Sequence, residues 1–319
     1  MQKYIISDKD AGQTLEKYVK KVLKNAPLSV IYKLFRKKDV KINGHWQGNK
    51  YIISKGEEVT IYLKDEQIEE FKKKQSLSNF DKIKQWLIYE DENILLINKP
   101  RGVLVQKGVE DDVALDAMVI SYLVDKKEYD PNVDVGYVPA PAHRLDRNTA
   151  GIIVFGKNLP TLQYLSTVMS DKTKVEKRYL TLVKGHIDNE GEITLPLLKK
   201  QTHVDVDYQN GKEAITRYEL IKYVGDFSLV EVQLLTGRTH QIRVHMSKTG
   251  FPVVGDAKYG DFKLNNLIEE KYHFKNQFLF DYKLRFNNVN GPLKKVNNKE
   301  FMIELPIECL DLIRNLEHN

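Results

Sequence analysis

His143-Arg144-Leu145-Asp146-Arg147-Asn148-Thr149-Ala150-Gly151 runs without a gap into Ile152-Ile153-Val154-Phe155. The second half, four β-branched or aromatic residues in a row, has the composition of a buried strand. The first half is polar and crowded with charge. A buried strand holds the loop before it at the edge of a core, where a carboxylate between two arginines can face a cleft. A nearby arginine favours the ionised carboxylate, and a carboxylate nucleophile must stay ionised. Asp146 is therefore the first candidate for a reacting group. Taken alone, such a cluster is more often a surface ion pair of little consequence. A second cluster further along the chain shifts that balance.

The surrounding chain sets the class. With 319 residues it exceeds one ordinary core and suits two or three packed units. A hydrophobic share of 41% with 10% aromatics belongs to a globular protein. Lysine and arginine number 50 against 44 acidic residues, a net charge of +6 that permits an anionic partner. Cys309, the single cysteine, excludes an intrachain disulfide and a cysteine-cluster metal site. No apolar run approaches the ~20 residues needed to span a bilayer, and the first residues lack the apolar core of a signal peptide. A cytoplasmic protein is expected, with no membrane partner.

Residues 1–63 read as a compact unit of two helices and short strands. Leu15, Tyr18, Val19, Val22 and Leu23 share one helical face. Ser29 is placed to cap a second helix that buries Val30, Ile31, Leu34 and Phe35. Lys33, Arg36, Lys37 and Lys38 take the other side and the end of that helix. Val40 and Ile42, an Asn43-Gly44 turn, and the alternation of Val59, Ile61 and Leu63 follow. Residues 64–84 are dense in charge and read as a linker, partly helical at most. From residue 85 to 319 strand runs alternate irregularly with helices. An α+β domain with a large mixed, mainly antiparallel sheet is expected, without a strict βαβ repeat. The run Phe278, Phe280, Tyr282, Leu284 and Phe286 suggests a strand packed on one side. There is no internal repeat, phosphate-binding glycine loop or paired metal-ligand motif.

The second cluster is Leu235-Thr236-Gly237-Arg238-Thr239-His240-Gln241-Ile242-Arg243-Val244-His245-Met246. A strand ends, a glycine permits a sharp turn, and a helix begins with arginines and histidines. His240 and His245, five positions apart, do not share a helix face, so a zinc pair is not expected. An arginine, as a fixed planar cation, suits a two-pronged grip on Asp146. A merely structural turn accounts for Gly237 but not for so many hydrogen-bonding residues at one corner.

With both clusters in view, residues 86–306 closely resemble the ribosomal large-subunit (RluA-type) pseudouridine synthase family. The likeness rests on Tyr89-Glu90-Asp91 with Asn98-Lys99-Pro100-Arg101-Gly102, and on HRLDRNTAG with Lys157. It rests also on Glu176-Lys177-Arg178-Tyr179, and on TGRTHQIRVHM with Gly255-Asp256-Lys258-Tyr259. Residues 1–63 resemble the S-four-like RNA-binding domain, a small α/β module of the αL type that often precedes this catalytic domain. Thr14-Leu15, Ile31, Arg36-Lys37, Val40, Asn43-Gly44 and Gly56-Glu57 carry that second likeness.

The resemblance implies the pseudouridine synthase fold and an isomerase acting on uridine in structured RNA, chiefly large-subunit ribosomal RNA. The nitrogen–carbon glycosidic bond is cut, the uracil turns, and it is rejoined through carbon 5. By the same resemblance Asp146 is the essential aspartate, Arg238 its partner, and Tyr179 the aromatic that stacks on the base. Arg144 fills the gap left by the extruded nucleotide. His143, Arg147, Gln241 and Arg243 are expected to contact RNA near the site, and Lys33, Arg36 and Lys37 to hold phosphates at a distance from it. Asp146 as attacker of the sugar, attacker of the base, or carrier of a proton all fit. The isomerisation involves no redox change or group donor, so no cofactor is expected; no metal site and a monomeric enzyme are expected as well. Ala150, Gln106 and Phe280 depart from the family pattern, which bears on the outer wall of the pocket. A transfer-RNA substrate, a non-catalytic RNA-binding role and a glycosidase are the competing readings; the last normally needs two carboxylates.

Overall fold

The computed structural model describes residues 1–71, 81–107, 114–131, 133, 134 and 136–318. In the first unit, β1 (Gln2–Ile5), α1 (Leu15–Val22), α2 (Leu28–Arg36), β2 (Val40–Ile42), β3 (His45–Trp46) and β4 (Glu58–Ile61) form a four-stranded antiparallel sheet with two helices. Thr14 caps α1 by accepting a hydrogen bond from the Lys17 amide, a contact that satisfies one of the orphan donors at a helix start. The second helix begins two residues earlier than expected, after Pro27, and Ser29 lies inside it. Proline fixes a backbone angle that suits a helix entry.

The expected linker is only partly one. Helix α3 (Asp65–Phe71) packs Ile68 and Phe71 into the first core, and α4 (Asp81–Trp86) packs Ile83 into the second. The lysine and serine run at 72–80 lies outside the described residues. The two units also touch. Lys9 Nζ donates to Glu128 O at 2.6 Å and pairs with Asp134 at 3.0 Å. Gln13 Nε2 donates to Gly136 O, and the Leu159 amide to Lys9 O.

The second unit contains β5 (Leu87–Glu90), β6 (Ile94–Lys99), α5 (Leu115–Asp125), β7 (Ala140–Pro141), β8 (Ala150–Gly156), α6 (Leu159–Val168) and β9 (Val175–Lys184). Then follow β10 (Glu190–Thr194), the hairpin β11 (Leu197–Lys199) and β12 (Val204–Val206), β13 (Ile215–Val224), β14 (Phe227–Leu234) and α7 (Gln241–Lys248). The chain closes with α8 (Phe262–Tyr272), β15 (Leu279–Phe286), β16 (Glu300–Met302) and α9 (Ile307–Glu317). Among the described residues, ten strands make one sheet whose main path is β10-β13-β14-β9-β15-β8-β6-β5. All pairings along that path are antiparallel except β8 with β15, so the sheet is mixed and mainly antiparallel as expected.

Strand β8 sits deep in this sheet with all seven residues buried. Its side chains alternate between two cores, as a strand's period of two demands. Ile152 and Val154 join Leu165, Val168 and Leu293 on one face; Ile153 and Phe155 join Ile83, Leu115 and Met118 on the other. Each fully buried side chain of this size is worth roughly 1.5–3 kcal/mol. Helices therefore cover both faces, which corrects the expectation for β15. Leu279 and Asp281 are as buried as Phe278 and Phe280, because the first half of that strand is covered on both faces; further along, Lys283 is half-buried and Arg285 exposed, opposite buried Leu284 and Phe286. In α9 the buried positions are Cys309, Leu312, Ile313 and Leu316, and Leu310 is turned partly outward. No helix among the described residues is long and apolar enough to cross a membrane.

Candidate active site

The loop ahead of β8 and the start of α7 converge on one cavity of about 800 Å³. His143, Arg144, Asp146, Arg147, Lys177, Tyr179, Arg238 and His240 line it. Two clusters far apart in sequence thus meet because β8 and β14 lie in the same sheet, each delivering a loop to the same edge.

Asp146 is held by Arg243, not by Arg238. Arg243 Nη1 donates to Asp146 Oδ2 at 2.9 Å. Its Nε and Nη2 form a two-pronged pair with Asp256 at 2.7 and 2.8 Å. Arg238 instead points along the surface, where its Nε donates to Glu213 O. The reason lies in where the helix starts. Arg238 precedes α7, whereas Arg243 is within its first turn, on the side that the fold buries. His240 enters the helix at φ 54° and supplies the left-handed step. Gly237, expected to make the turn, is not in that conformation, and a Cβ there would meet open space.

Burial works against the charge on Arg243, but two carboxylates outweigh it and keep the guanidinium charged. Burial also pushes Asp256 up, and the Arg243 pair more than reverses this, leaving it below the usual carboxylate range. Asp256 is fully buried and also accepts from the amides of Lys258 and Tyr259. His240 Nε2 stands 3.7 Å from Asp146 Oδ2, with Nδ1 2.8 Å from the Tyr259 hydroxyl. Burial lowers the His240 pKa, opposed by the Asp146 charge, so the ring is neutral near pH 7.

Tyr179, on β9, is 4% exposed and forms a wall of the cavity. Arg144 and Arg147 are exposed at its mouth. Gln241 and His143 differ in their access to the cavity: His143 is half-buried in its lining, and Gln241 lies beneath it. Gln241 is buried and spends its amide internally: Oε1 accepts from Thr236 Oγ1 and the Arg238 amide, and Nε2 donates to Ile215 O and Thr216 Oγ1. His143 Nε2 accepts from the Val154 amide at 3.3 Å, and its Nδ1 lies 3.2 Å from Lys177 Nζ. Lys33, Arg36 and Lys37 are exposed on or just beyond α2, outside the cavity lining.

Sequence reasoning missed two supports. Asp256 stood in a quoted block without a role. Lys99 is the other: fully buried, its Nζ donates to the carbonyls of Pro100, Val103 and Arg147. Burial pushes its pKa down, to about 7, while Asp146 opposes this; three carbonyl acceptors favour the ammonium as well. Lys99 thereby fastens the Asp146 loop from beneath. Of the departures, Gln106 lines the cavity, and Ala150 pairs with buried Phe280.

The family model for RNA pseudouridylate synthase matches residues 93–248. An RNA pseudouridine synthase of Mycoplasma capricolum is 31% identical over 94% of this chain and 96% of its own length. The ribosomal large subunit pseudouridine synthase C of Vibrio cholerae is 30% identical over 96% of this chain and 93% of its own. Human RNA pseudouridylate synthase domain containing 4 shares the fold, with a TM-score of 0.59 and 20% identity over 73% of this chain and 94% of that one. The chain belongs to the RNA pseudouridine synthase family, of the ribosomal large-subunit type. It is an isomerase that converts uridine in RNA to pseudouridine.

Proposed function

We propose that this enzyme isomerises uridines in structured large-subunit ribosomal RNA, with Asp146 as the reacting carboxylate, Arg243 as its partner and Tyr179 as the wall against the flipped base. The observation that carries this reading is Asp146 Oδ2, held at 2.9 Å by Arg243 on the cavity that Tyr179 walls. A uridine inside an RNA helix is out of reach of such a cavity, so it must leave the stack, at a cost of a few kcal/mol. Stacking on an aromatic side chain returns roughly 1–3 kcal/mol per base. Arg144, Arg147 and Arg238 supply cations at the mouth, suited to the RNA backbone. Relatives named for the ribosomal large subunit support ribosomal RNA as the substrate. The substrate reading fits action in the cytoplasm. Mapping pseudouridine in cellular RNA with and without the gene tests the substrate. Loss confined to transfer RNA would overturn the ribosomal reading.

Two expected results follow from the assigned roles. Tyr179→Phe keeps a stacking face and should retain RNA affinity, whereas Tyr179→Leu should weaken retention of the flipped base by roughly 1–3 kcal/mol. Wild-type turnover in both variants would remove Tyr179 from the site. The S-four-like role of residues 1–63 is tested by reversing charge at Lys33, Arg36 and Lys37 together. These residues lie off the apolar face of α2, so the unit should fold. RNA affinity should fall and depend less steeply on salt, by roughly one counterion per lost phosphate contact. An unchanged salt slope would show that α2 does not grip RNA. Deletion of residues 1–63 is a poorer test, because it also removes the Lys9 and Gln13 contacts to the second unit.

A further inference from the structure

Asp281 is a buried carboxylate that the chemistry above leaves unused. It lies on β15 with no exposed surface, directly opposite Tyr179 on β9. Opposed residues on neighbouring strands project to the same face, so carboxylate and phenol are cross-strand neighbours. On its other side β8 contributes Gly151, at φ 133°, where a Cβ would come within 2.6 Å of Asp281 Cβ. Glycine at 151 is what leaves room for the β15 backbone here, the Asp281 carbonyl oxygen being the atom nearest to such a Cβ.

Neither carboxylate oxygen completes a hydrogen bond, a rare condition for a buried polar group. Lys177 Nζ stands 3.7 Å from Oδ2, reaches His143 Nδ1 at 3.2 Å and lies 5.8 Å from the centre of the Tyr179 ring. The titratable groups facing Asp281 are thus Lys177 and Tyr179 from β9, Lys172 from the segment before it, and His143 from the loop ahead of β8; Asp146 acts on the same phenol. Burial pushes the Asp281 carboxyl up, to about 6, against the pull of Lys177, Tyr179 and Lys172. Burial first, then Asp281 and Asp146, push the Tyr179 phenol far above its ordinary range. Burial and two lysines keep His143 neutral. Tyr179 therefore cannot ionise by itself; it can give up a proton only as another base receives it.

We propose that Asp281 is a positioning residue that works through Tyr179, receiving the phenol proton as that oxygen removes the hydrogen from C5 of the rejoined uracil. The proposal rests on the reading of Tyr179 as the wall against the base. Once the uracil is joined to the sugar through C5, that carbon carries both the sugar and a hydrogen, and N1 is doubly bonded to C6. The C5–H electron pair becomes the C5–C6 double bond, and the C6–N1 π pair moves onto N1. The C5 proton goes to Tyr179 Oη, the original Tyr179 proton to Asp281, and N1 takes a proton from water. Asp281 returns its proton to water when the site reopens, so neither protons nor electrons are gained or lost.

The test uses the full-length enzyme on the RNA identified by pseudouridine mapping, made with ordinary uridine and with uridine deuterated at C5. For Asp281→Asn we expect kcat to fall on the order of 10²-fold, the usual scale for a lost proton-transfer partner, with KM little changed. A primary deuterium isotope effect should emerge in kcat, and the fall of wild-type kcat on the acid side of about pH 6 should be absent from the variant. Stability provides the folding control. A carboxyl whose folded pKa is raised makes the fold lose stability as pH rises through the window from its unfolded value to about 6. Asparagine removes that loss, so the variant should melt no lower than wild type at neutral pH. Wild-type kcat and pH profile in Asp281→Asn overturn the proposal, as does a slower variant with an unchanged profile and no isotope effect, which marks a purely structural role. Tyr179→Phe separates the layers. If it is slow while Asp281→Asn is wild type, only the role of Asp281 falls; if it is itself wild type, the phenol carries no proton and this proposal falls while the wall reading stands, which only a wild-type Tyr179→Leu as well would remove.

Discussion

Asp146→Asn should abolish isomerisation, lowering turnover on the order of 10⁴-fold, the scale seen when a residue of a cooperating catalytic group is removed. Folding and RNA affinity should be close to wild type. The amide matches the carboxylate in shape and can still accept a hydrogen bond from Arg243 Nη1. It lacks the charge that nucleophilic or proton-transfer chemistry requires. Asp146 is also partly exposed, with 28% of its side chain accessible, and the buried Arg243 keeps its two-pronged pair with Asp256, so the change leaves no buried cation unpaired. The measurement is single-turnover pseudouridine formation on a mapped substrate, beside melting and RNA-binding curves. Turnover within a tenth of wild type would remove Asp146 from its assigned role.

Arg243 should fail in two ways at once, and Arg238 in neither. Arg243→Ala leaves Asp256 fully buried without its cation, a loss of about 3–5 kcal/mol of stability for a broken buried pair. Arg243→Lys keeps a charge but cannot present a fork to Asp256 while also reaching Asp146. It should fold better than the alanine variant, yet turn over about 10²–10³-fold more slowly, as when a positioned donor at a reacting centre is lost. Arg238→Ala should fold as wild type, since its side chain donates only to an exposed carbonyl region at Glu213. Its effect should appear mainly in RNA affinity. An inactive Arg238→Ala beside an active Arg243→Lys would reverse the two roles.

The contrast between these arginines shows what could be read from the chain and what could not. The apolar runs of β6 and β8 announced a sheet core, and the two polar clusters announced a shared site. Pattern reasoning recovers such features because burial and period act locally. Which arginine reaches Asp146 depends on where α7 begins, and that is set by the left-handed residue His240 rather than by the glycine. Helix boundaries shift by a residue or two without changing composition. Gln241 looked like an RNA contact because it is polar and next to the cluster, and it proved to be a buried brace. Its partners, Ile215 and Thr216, lie on a strand that only tertiary structure brings close. Lys99 and Asp281 were illegible for the same reason: a charged residue in a strand pattern looks solvent-facing until both sheet faces are covered. The place of Asp146 on the cavity was legible because the loop and strand that set it are its neighbours in sequence.

Lys99 and Gln241 fasten the two loops of the site from opposite sides, one through three carbonyls and the other through four hydrogen bonds. Their shared consequence is entropic. Segments that an incoming RNA would otherwise have to immobilise are already ordered when the chain folds. Association with RNA then loses less free energy to freezing the protein, and more of the contact energy remains for drawing a uridine out of its stack. Loosening either brace should therefore slow base extraction even where every residue that meets the uracil is intact.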